Sequence, residues 1–238
     1  MFFTIEDVHS YYGKSHILHG VNIEINEGEM VALLGRNGVG KSTTIKTIVG
    51  LVPPAQGSIT FRGKEIAGKN THTIIKSGIG YVPEERAIFN SLTVRQNLLM
   101  GIKHGRDIPK PADGGWTLER VYETFPSLKE RENNKGAQLS GGEQQMLTMA
   151  RTLMGNPELI LVDEPTEGLA PLIRKTVAKT LKQINESGVS VLVVEQNLKF
   201  VLPICQRAYI MAKGEIVYSG SSQEVLENRE IQQQYLEV

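Results

Sequence analysis

One short segment constrains the fold more than any other part of the chain, because it demands a strand, a tight turn and a helix in succession. It directly follows the apolar run Val31–Leu34 and fits the pattern G-x-x-x-x-G-K-[ST]. Its residues are Gly35, Arg36, Asn37, Gly38, Val39, Gly40, Lys41, Ser42 and Thr43. Glycine lets consecutive backbone N–H groups approach a phosphate without clashes from a Cβ atom. The segment therefore predicts a phosphate-binding loop between a buried strand and a helix.

The helix after this loop places Ile45 and Ile48 on one face, and Gly50 predicts its end. The positive end of the helix dipole then points at the bound phosphates. Lys41 is predicted to neutralise the β- and γ-phosphates, and the Ser42 hydroxyl is predicted to bind Mg²⁺. The alternative is a plain glycine-rich turn, which the Gly-Lys-Ser ending disfavours.

A second motif is a pair of adjacent carboxylates, Asp163 and Glu164, at the end of the apolar run Leu159–Val162. Continuous apolar runs of this length are typical of strands buried on both faces of a parallel sheet. Ligands of α/β proteins lie at the carboxyl edge of such a sheet, so Asp163 is predicted to join the Mg²⁺ shell. Glu164 is predicted to accept a proton from the attacking water. Without the phosphate loop, Asp-Glu-Pro would equally indicate a strand exit followed by a turn.

The order of patterns along the chain predicts an α/β fold. After residue 158, apolar strands alternate with helical segments, which indicates a parallel sheet flanked by helices. Strand patterns near the N-terminus predict an antiparallel β region, and residues from about 92 to 155 have helical periodicity. We therefore expect a single domain over 1–238, with a core at about 1–83 and 156–238 and an inserted helical lobe at about 84–155. The polar stretch Gly105–Gly115 is predicted to be a surface loop.

A third motif, Leu139–Gln145, begins a helix in the middle of the chain. Ser140 and Glu143 have the spacing of a capping box, in which each side chain satisfies a backbone N–H of the first turn. That local role explains both residues without any function. The exposed Ser-Gly-Gly backbone at the start of the helix is also suited to a second anion, because its N–H groups lack partners within the helix.

The three motifs together resemble those of ATP-binding-cassette (ABC) proteins, and the resemblance covers nearly the whole chain. It implies a P-loop NTPase core that binds and hydrolyses Mg-ATP, with two cassettes paired head to tail. Ser140, Gly141 and Gly142 would then contact the γ-phosphate of ATP bound to the partner. Tyr12 matches the aromatic residue that stacks on adenine, and its neighbour Tyr11 is the competing candidate.

Three positions depart from the general ABC pattern. Glu84 stands where the family has the Q-loop glutamine, Gln196 replaces the switch histidine, and Ala170 replaces a frequent aspartate. These residues are similar to those of the LivF-type ATPase of branched-chain amino-acid importers and its relatives for urea and amides. The resemblance implies that Gln196 orients the attacking water, and that Glu84 reaches Mg²⁺ directly or through water once Mg-ATP is bound. A Glu84 side chain that faces solvent is the alternative.

Composition narrows the choice of partners. The chain contains 26 Lys and Arg residues against 26 Asp and Glu residues, and this balance disfavours a nucleic-acid partner. No run approaches the ~20 apolar residues of a membrane-spanning helix, so a translocation path would have to belong to another subunit. Cys205, the one cysteine, has apolar neighbours and is expected to be a packed thiol in a reducing cytosol.

The family resemblance also implies partners and a location. The partners are integral-membrane permease subunits, a second ABC ATPase that is either a copy or a relative, and indirectly an extracytoplasmic solute-binding protein. The chain is expected at the cytoplasmic face of the inner or plasma membrane, as a peripheral subunit. The expected function is ATP hydrolysis that drives uptake of branched-chain amino acids, with urea, amides or another small polar solute as alternatives. A single cassette without heptads disfavours a non-transport ABC ATPase, and a small-molecule kinase would not need the Leu139–Gln145 motif.

Overall fold

The computed structural model describes residues 1–103 and 115–236, which form two β-sheets with helices packed against them. The strands are β1 Phe3–Tyr12, β2 Ser15–Ile25, β3 Met30–Leu34, β4 Pro54–Phe61, β5 Lys64–Glu65, β6 Ile79–Val82, β7 Leu159–Asp163, β8 Ser190–Glu195, β9 Arg207–Ala212 and β10 Glu215–Ser221. The helices are α1 Lys41–Ile48, α2 Thr71–Lys76, α3 Val94–Leu99, α4 Leu118–Thr124, α5 Pro126–Glu130, α6 Gly141–Leu153, α7 Pro171–Glu186, α8 Leu198–Val201, α9 Ser222–Glu227 and α10 Arg229–Tyr235. Apart from Gly115, the predicted loop Gly105–Gly115 lies outside the described residues.

The central sheet has six strands in the order β10-β9-β3-β8-β7-β6. All neighbouring pairs are parallel except β9 and β10, which confirms the predicted parallel sheet. Leu34 pairs with Glu195 across β3 and β8, and Asp163 pairs with Val194 across β7 and β8. The carboxyl ends of these three strands therefore meet at one edge of the sheet, where α/β proteins bind ligands.

The two faces of this sheet contribute to two separate hydrophobic cores. In β3, Met30, Ala32 and Leu34 face a core that they share with residues of α6 and α7. Val31 and Leu33 face the other core, with α1 and residues of β1, β2 and β4. All residues of β3 are buried, which explains the continuous apolar run in the sequence.

The N-terminal strands form a second, antiparallel sheet in the order β2-β1-β4-β5, as predicted. Within this sheet, β1 continues to Tyr12 and β2 begins at Ser15. Residues 15–20 contain two histidines and lack a clear apolar alternation. Pairing with β1 nevertheless extends the strand, since Tyr12 lies opposite Ser15 and Tyr11 opposite His16. Gly13, with φ 58°, forms the tight turn between them.

Helices α3 to α6 lie in the chain between β6 and β7, within the part that the helical pattern predicts. Helix α7 begins with proline at Pro171, where no intrahelical N–H is needed. Cys205 is buried, and burial raises the pKa of its thiol, as expected for a packed cysteine. In the described part of the chain, no helix has the length and apolarity required to cross a membrane.

Candidate active site at the carboxyl edge of the central sheet

The predicted phosphate loop connects β3 to α1, and close packing at Gly35 and the backbone conformation at Gly40 each require glycine. A Cβ atom on Gly35 would lie 2.5 Å from the carbonyl oxygen of Met211, which backbone atoms cannot tolerate. Gly40 is the N-cap of α1 with φ 113°, a conformation that disfavours any residue with a Cβ atom. The Gly40 carbonyl accepts hydrogen bonds from both the backbone N–H and the hydroxyl of Thr44. The loop therefore has a fixed shape that ends in the first turn of α1.

Lys41 lies inside this loop and is almost completely buried, with 4% of its surface exposed. Its Nζ donates a hydrogen bond to the Arg36 carbonyl at 3.0 Å. The same Nζ lies 3.2 Å from Oε1 of Glu164, so the two charges form a buried ion pair. The loop lysine and the second carboxylate of the acidic pair are thus brought together, although they are far apart in sequence.

Asp163 is the last residue of β7, and its Oδ1 accepts a 3.0 Å hydrogen bond from the Ser42 hydroxyl. Burial raises the pKa of Asp163 to about 6; the hydrogen bond from Ser42 opposes this shift, and the negative charges of Glu164 and Glu84 add to it. Three carboxylates therefore act on one another beside the phosphate loop. Such a group is stabilised by a positive charge placed among its oxygens.

The donors at this edge fit a magnesium ion. The Ser42 hydroxyl and the Asp163 carboxylate supply the hard oxygen ligands that Mg²⁺ prefers, and Glu84 lies close enough to influence the same carboxylate. Among residues 1–103 and 115–236, no three His, Cys, Asp or Glu side chains form a complete metal cluster.

Glu164 has an unusual backbone, with φ 41° in the left-handed region. Its N–H donates a 3.0 Å hydrogen bond to the Val194 carbonyl on β8, which holds this conformation. Left-handed φ values disfavour residues with a Cβ atom, and they persist where surrounding bonds impose them. The strained turn directs Glu164 back toward Lys41 at the sheet edge.

The structure separates the two candidate adenine-stacking tyrosines. Tyr12, Ile17 and Glu164 border an open pocket over the phosphate loop, and Tyr12 is 47% exposed there. Tyr11 points to the other side of the hairpin and stacks on His16, with ring centroids 4.2 Å apart. Tyr12 is therefore the tyrosine that adjoins the loop.

Gln196 and Glu84 follow two further strands at the same edge. Gln196 comes directly after β8, and its side chain is exposed. Glu84 follows β6 after one intervening residue and is also exposed. Neither side chain forms a hydrogen bond or ion pair to another part of the described chain.

The Leu139–Gln145 motif forms the predicted capping box at the start of α6. The Ser140 backbone N–H donates to Glu143 Oε2 at 2.8 Å, and the Glu143 N–H donates to the Ser140 hydroxyl at 3.4 Å. A Cβ atom on Gly142 would lie 2.7 Å from Ile173 of α7, and one on Gly141 would lie 2.6 Å from the Arg86 guanidinium. Ser140 itself is exposed.

The family model for ABC transporters matches residues 18–167, well over half of the chain. The chain is an ABC transporter ATPase. It is 41% identical to the high-affinity branched-chain amino acid transport ATP-binding protein BraG of Pseudomonas aeruginosa, over 98% of each protein. It is 33% identical to the lipopolysaccharide export ATP-binding protein LptB of Escherichia coli, over 98% of this chain and 96% of LptB.

Solved ABC structures have the same fold. A nucleotide-free ATP-binding cassette from an ABC transporter superimposes with a TM-score of 0.81 at 28% identity, covering 97% of this chain and 96% of the other. A bacterial ABC transporter cassette solved in dimeric form has a TM-score of 0.76 at 26% identity, covering 93% and 99%. ABC ATPases of this family bind ATP, dimerise and pair with permeases.

Two residues of the ABC ATPase site escape the sequence motifs. Arg86 donates from Nη2 to the Glu167 carbonyl at 2.9 Å, and its guanidinium packs against Gly141. It thereby connects the segment after β6 to the start of α6 and the segment after β7. Glu195, the last residue of β8, is 2% exposed. A charged residue that ends an apolar run was the available signal for Glu195, whereas no spacing pattern points to Arg86.

Proposed function

We propose that this ATPase energises the uptake of branched-chain amino acids as a LivF-like importer subunit. The observation that carries the proposal is the 41% identity to BraG over 98% of both proteins. Identity to the lipopolysaccharide export protein LptB is lower, at 32% to 34%, over nearly the same length. Glu84, Ala170 and Gln196 support the same assignment, because they match the LivF-type pattern.

In this proposal, the residues at the sheet edge bind ATP and carry out its hydrolysis. Lys41 and the loop N–H groups bind the phosphates, while Tyr12 stacks on the adenine. Glu164 releases its ion pair with Lys41 when the phosphates bind that lysine. Glu164 then accepts a proton from the attacking water, and the Gln196 amide orients this water.

The proposed magnesium ligands are Ser42 and Asp163, with Glu84 bound directly or through water. When bound, magnesium would supply positive charge that stabilises the phosphate oxygens of ATP. Asp163 then keeps its carboxylate ionised, because a nearby cation lowers the pKa that burial raises.

The second half of each ATP site is proposed to come from a second ABC ATPase, either a copy of this chain or a relative. Ser140, Gly141 and Gly142 contact the γ-phosphate of the ATP bound there. The lobe at about 84–155 passes the movement of dimer closure to integral-membrane permease subunits. This assembly holds the chain at the cytoplasmic face of the membrane and receives solute from an extracytoplasmic binding protein.

Solute uptake in cells tests the proposal. Cells that lack the gene are complemented with the wild type, with Glu164→Gln or with Glu186→Gln, an exposed carboxylate on α7. We expect the wild type and Glu186→Gln to restore uptake of radiolabelled leucine and Glu164→Gln to fail. Restored uptake of urea or acetamide with unchanged leucine uptake would instead assign the chain to the alternative solutes.

A membrane pull-down separates transport from other uses of ATP. Hydrophobic subunits should be recovered with the tagged chain from detergent-solubilised membranes. Recovery of ribosomes without membrane subunits would refute the transport assignment.

A further inference from the structure

Glu195 is a buried carboxylate that the proposed reaction does not use. It ends β8 after the apolar residues Val191–Val194 and is 2% exposed. No Lys or Arg forms an ion pair with it in the part of the chain that the structure describes. Burial raises the pKa of Glu195, while hydrogen bonds from Thr166, Asn197 and Gln196 act to lower it. A buried carboxylate without a cation is costly, so these hydrogen bonds must stabilise it.

The two carboxylate oxygens bind two different segments. Oε1 accepts hydrogen bonds from the N–H of Thr166 at 3.2 Å and from its hydroxyl at 2.5 Å. Oε2 accepts hydrogen bonds from the backbone N–H groups of Gln196 at 3.1 Å and Asn197 at 3.2 Å. All four donors thus converge on one side chain.

These segments carry the two proposed reaction residues. Thr166 follows Glu164 by two positions after β7, and Gln196 directly follows β8. We propose that Glu195 is a positioning residue, which fixes the backbone of Gln196 relative to Glu164. This inference rests on the roles proposed for Glu164 and Gln196. The Gln196 amide has no hydrogen bond to the rest of the described chain, so its position depends on the backbone that Glu195 holds.

Only glutamate meets the geometric demand. A glutamine at position 195 has one accepting oxygen and an NH₂ group, which cannot accept from either pair of donors. The oxygen of this glutamine keeps the hydrogen bonds to one segment. Its NH₂ group then faces the N–H donors of the other segment, which it cannot bind. Aspartate has two accepting oxygens, but it is shorter by one methylene group and cannot span both segments.

A double-mutant cycle tests the inference. Single-turnover ATP hydrolysis and binding of a non-hydrolysable ATP analogue are measured for the wild type, Glu195→Gln, Gln196→Ala and the double variant. We expect Glu195→Gln to slow hydrolysis about tenfold or more, because misplaced groups lose their orientation. Analogue affinity should change by less than about twofold. In the Gln196→Ala background, Glu195→Gln should add less than about a twofold loss, because both changes remove the same contribution.

The possible results separate the inference from the proposed function. An equal further loss in the Gln196→Ala background would show that Glu195 acts independently of Gln196 and would overturn the inference. Normal hydrolysis by Glu195→Gln alongside slow hydrolysis by Gln196→Ala would overturn the inference and leave the proposed role of Gln196 in place. Normal hydrolysis by Gln196→Ala would refute the role of Gln196 and the inference together. Failure of the wild type to bind the ATP analogue would refute the ATPase assignment itself.

Two further variants control for damage to the fold. Glu29→Gln removes a partly buried carboxylate that pairs with Arg207 at the opposite end of the sheet. It should lower the thermal midpoint while hydrolysis stays unchanged. A slowing equal to that of Glu195→Gln would overturn the inference. Thr166→Val removes one donor to Oε1 and should produce a smaller slowing that disappears in the Gln196→Ala background. That result is available even if Glu195→Gln fails to fold.

Discussion

The two surfaces of this ABC ATPase that are proposed to bind nucleotide differ in how completely one chain assembles them. On the phosphate-loop side, Lys41 pairs with Glu164 and Ser42 bonds to Asp163 in a mostly buried setting. On the signature side, Ser140 is exposed and bonds only within its own helix cap. The phosphate-loop side is therefore held by contacts between distant parts of the chain, whereas the Ser140 hydroxyl, within the described residues, forms hydrogen bonds only with Glu143 of the same helix. The contrast fits the proposal that one chain assembles one half-site by itself and offers a second half-site to the ATP of a partner.

The largest expected effect comes from a substitution on the phosphate-loop side. Glu164→Gln removes the proposed proton acceptor and should slow single-turnover hydrolysis by roughly a hundredfold to ten-thousandfold. Affinity for ATP should stay near the wild-type value, because the loop and Lys41 remain. Quenched-flow measurement of phosphate formation checks the rate, and titration with a non-hydrolysable ATP analogue checks the affinity. The matched control is Glu158→Gln, which alters a carboxylate just before the start of the same strand. Equal rates for the two variants would contradict the assignment.

The second prediction concerns the stability cost of the buried Asp163 carboxylate on the phosphate-loop side. The pKa of Asp163 is raised from 3.8 to about 6, so the folded state binds this proton more tightly than the unfolded state does. The contribution of Asp163 to stability is therefore present below about pH 4 and is lost as pH rises to about 6. Asp163→Asn should raise the free energy of unfolding at pH 7 by up to about 3 kcal/mol in nucleotide-free, EDTA-treated protein. The amide oxygen that this substitution introduces still accepts from the Ser42 hydroxyl, but a hydrogen bond to a neutral acceptor is weaker, which reduces this gain in stability.

Urea unfolding at several pH values checks the Asp163 prediction. The difference between Asp163→Asn and the wild type should narrow as pH falls from about 6 to about 4. Parallel stability profiles over this range would show that burial does not raise the pKa of Asp163.

The third prediction sharpens the contrast on the signature side. Ser140→Ala removes a helix cap, which costs about 1 kcal/mol of stability, together with the proposed contact to the partner's ATP. Steady-state hydrolysis by the assembled transporter should fall about a hundredfold, which is the low end of the loss expected when one charge-stabilising donor is removed. ATP binding by the isolated chain should not change.

Thr93→Ala provides the matched control for this variant, because Thr93 forms an equivalent capping box on α3. It should lose similar stability with little loss of hydrolysis. If Thr93→Ala slows hydrolysis as much as Ser140→Ala, then Ser140 acts only as a helix cap.

The smallest expected effect concerns adenine. Tyr12→Ala should weaken ATP affinity about tenfold, since stacking of a base on an aromatic ring contributes ~1–3 kcal/mol. Tyr11→Ala should leave affinity nearly unchanged, because that ring stacks on His16. Isothermal titration with a non-hydrolysable analogue distinguishes them. A larger loss in Tyr11→Ala would reverse the assignment of the two neighbours.

Sequence predicts well those features that local patterns determine. The strand–loop–helix around Lys41, the buried run before Asp163 and the cap at Ser140 all depend on residues within a few positions of each other. The start of β2 at Ser15 depends instead on pairing with β1, and that pairing also decides which way Tyr11 and Tyr12 point. The hydrogen bonds of Glu195 to Thr166 and Gln196 require β7 and β8 to lie side by side in register. No pattern within a single segment contains that information.

The single cysteine has a practical consequence. Cys205 is the one thiol in the whole chain, it is buried, and its pKa is raised, so little reactive thiolate forms at neutral pH. A cysteine introduced at an exposed position would therefore be the one site that takes a maleimide dye or a spin label. Placed near the exposed start of α6, such a probe would measure the distance between two copies as nucleotide binds.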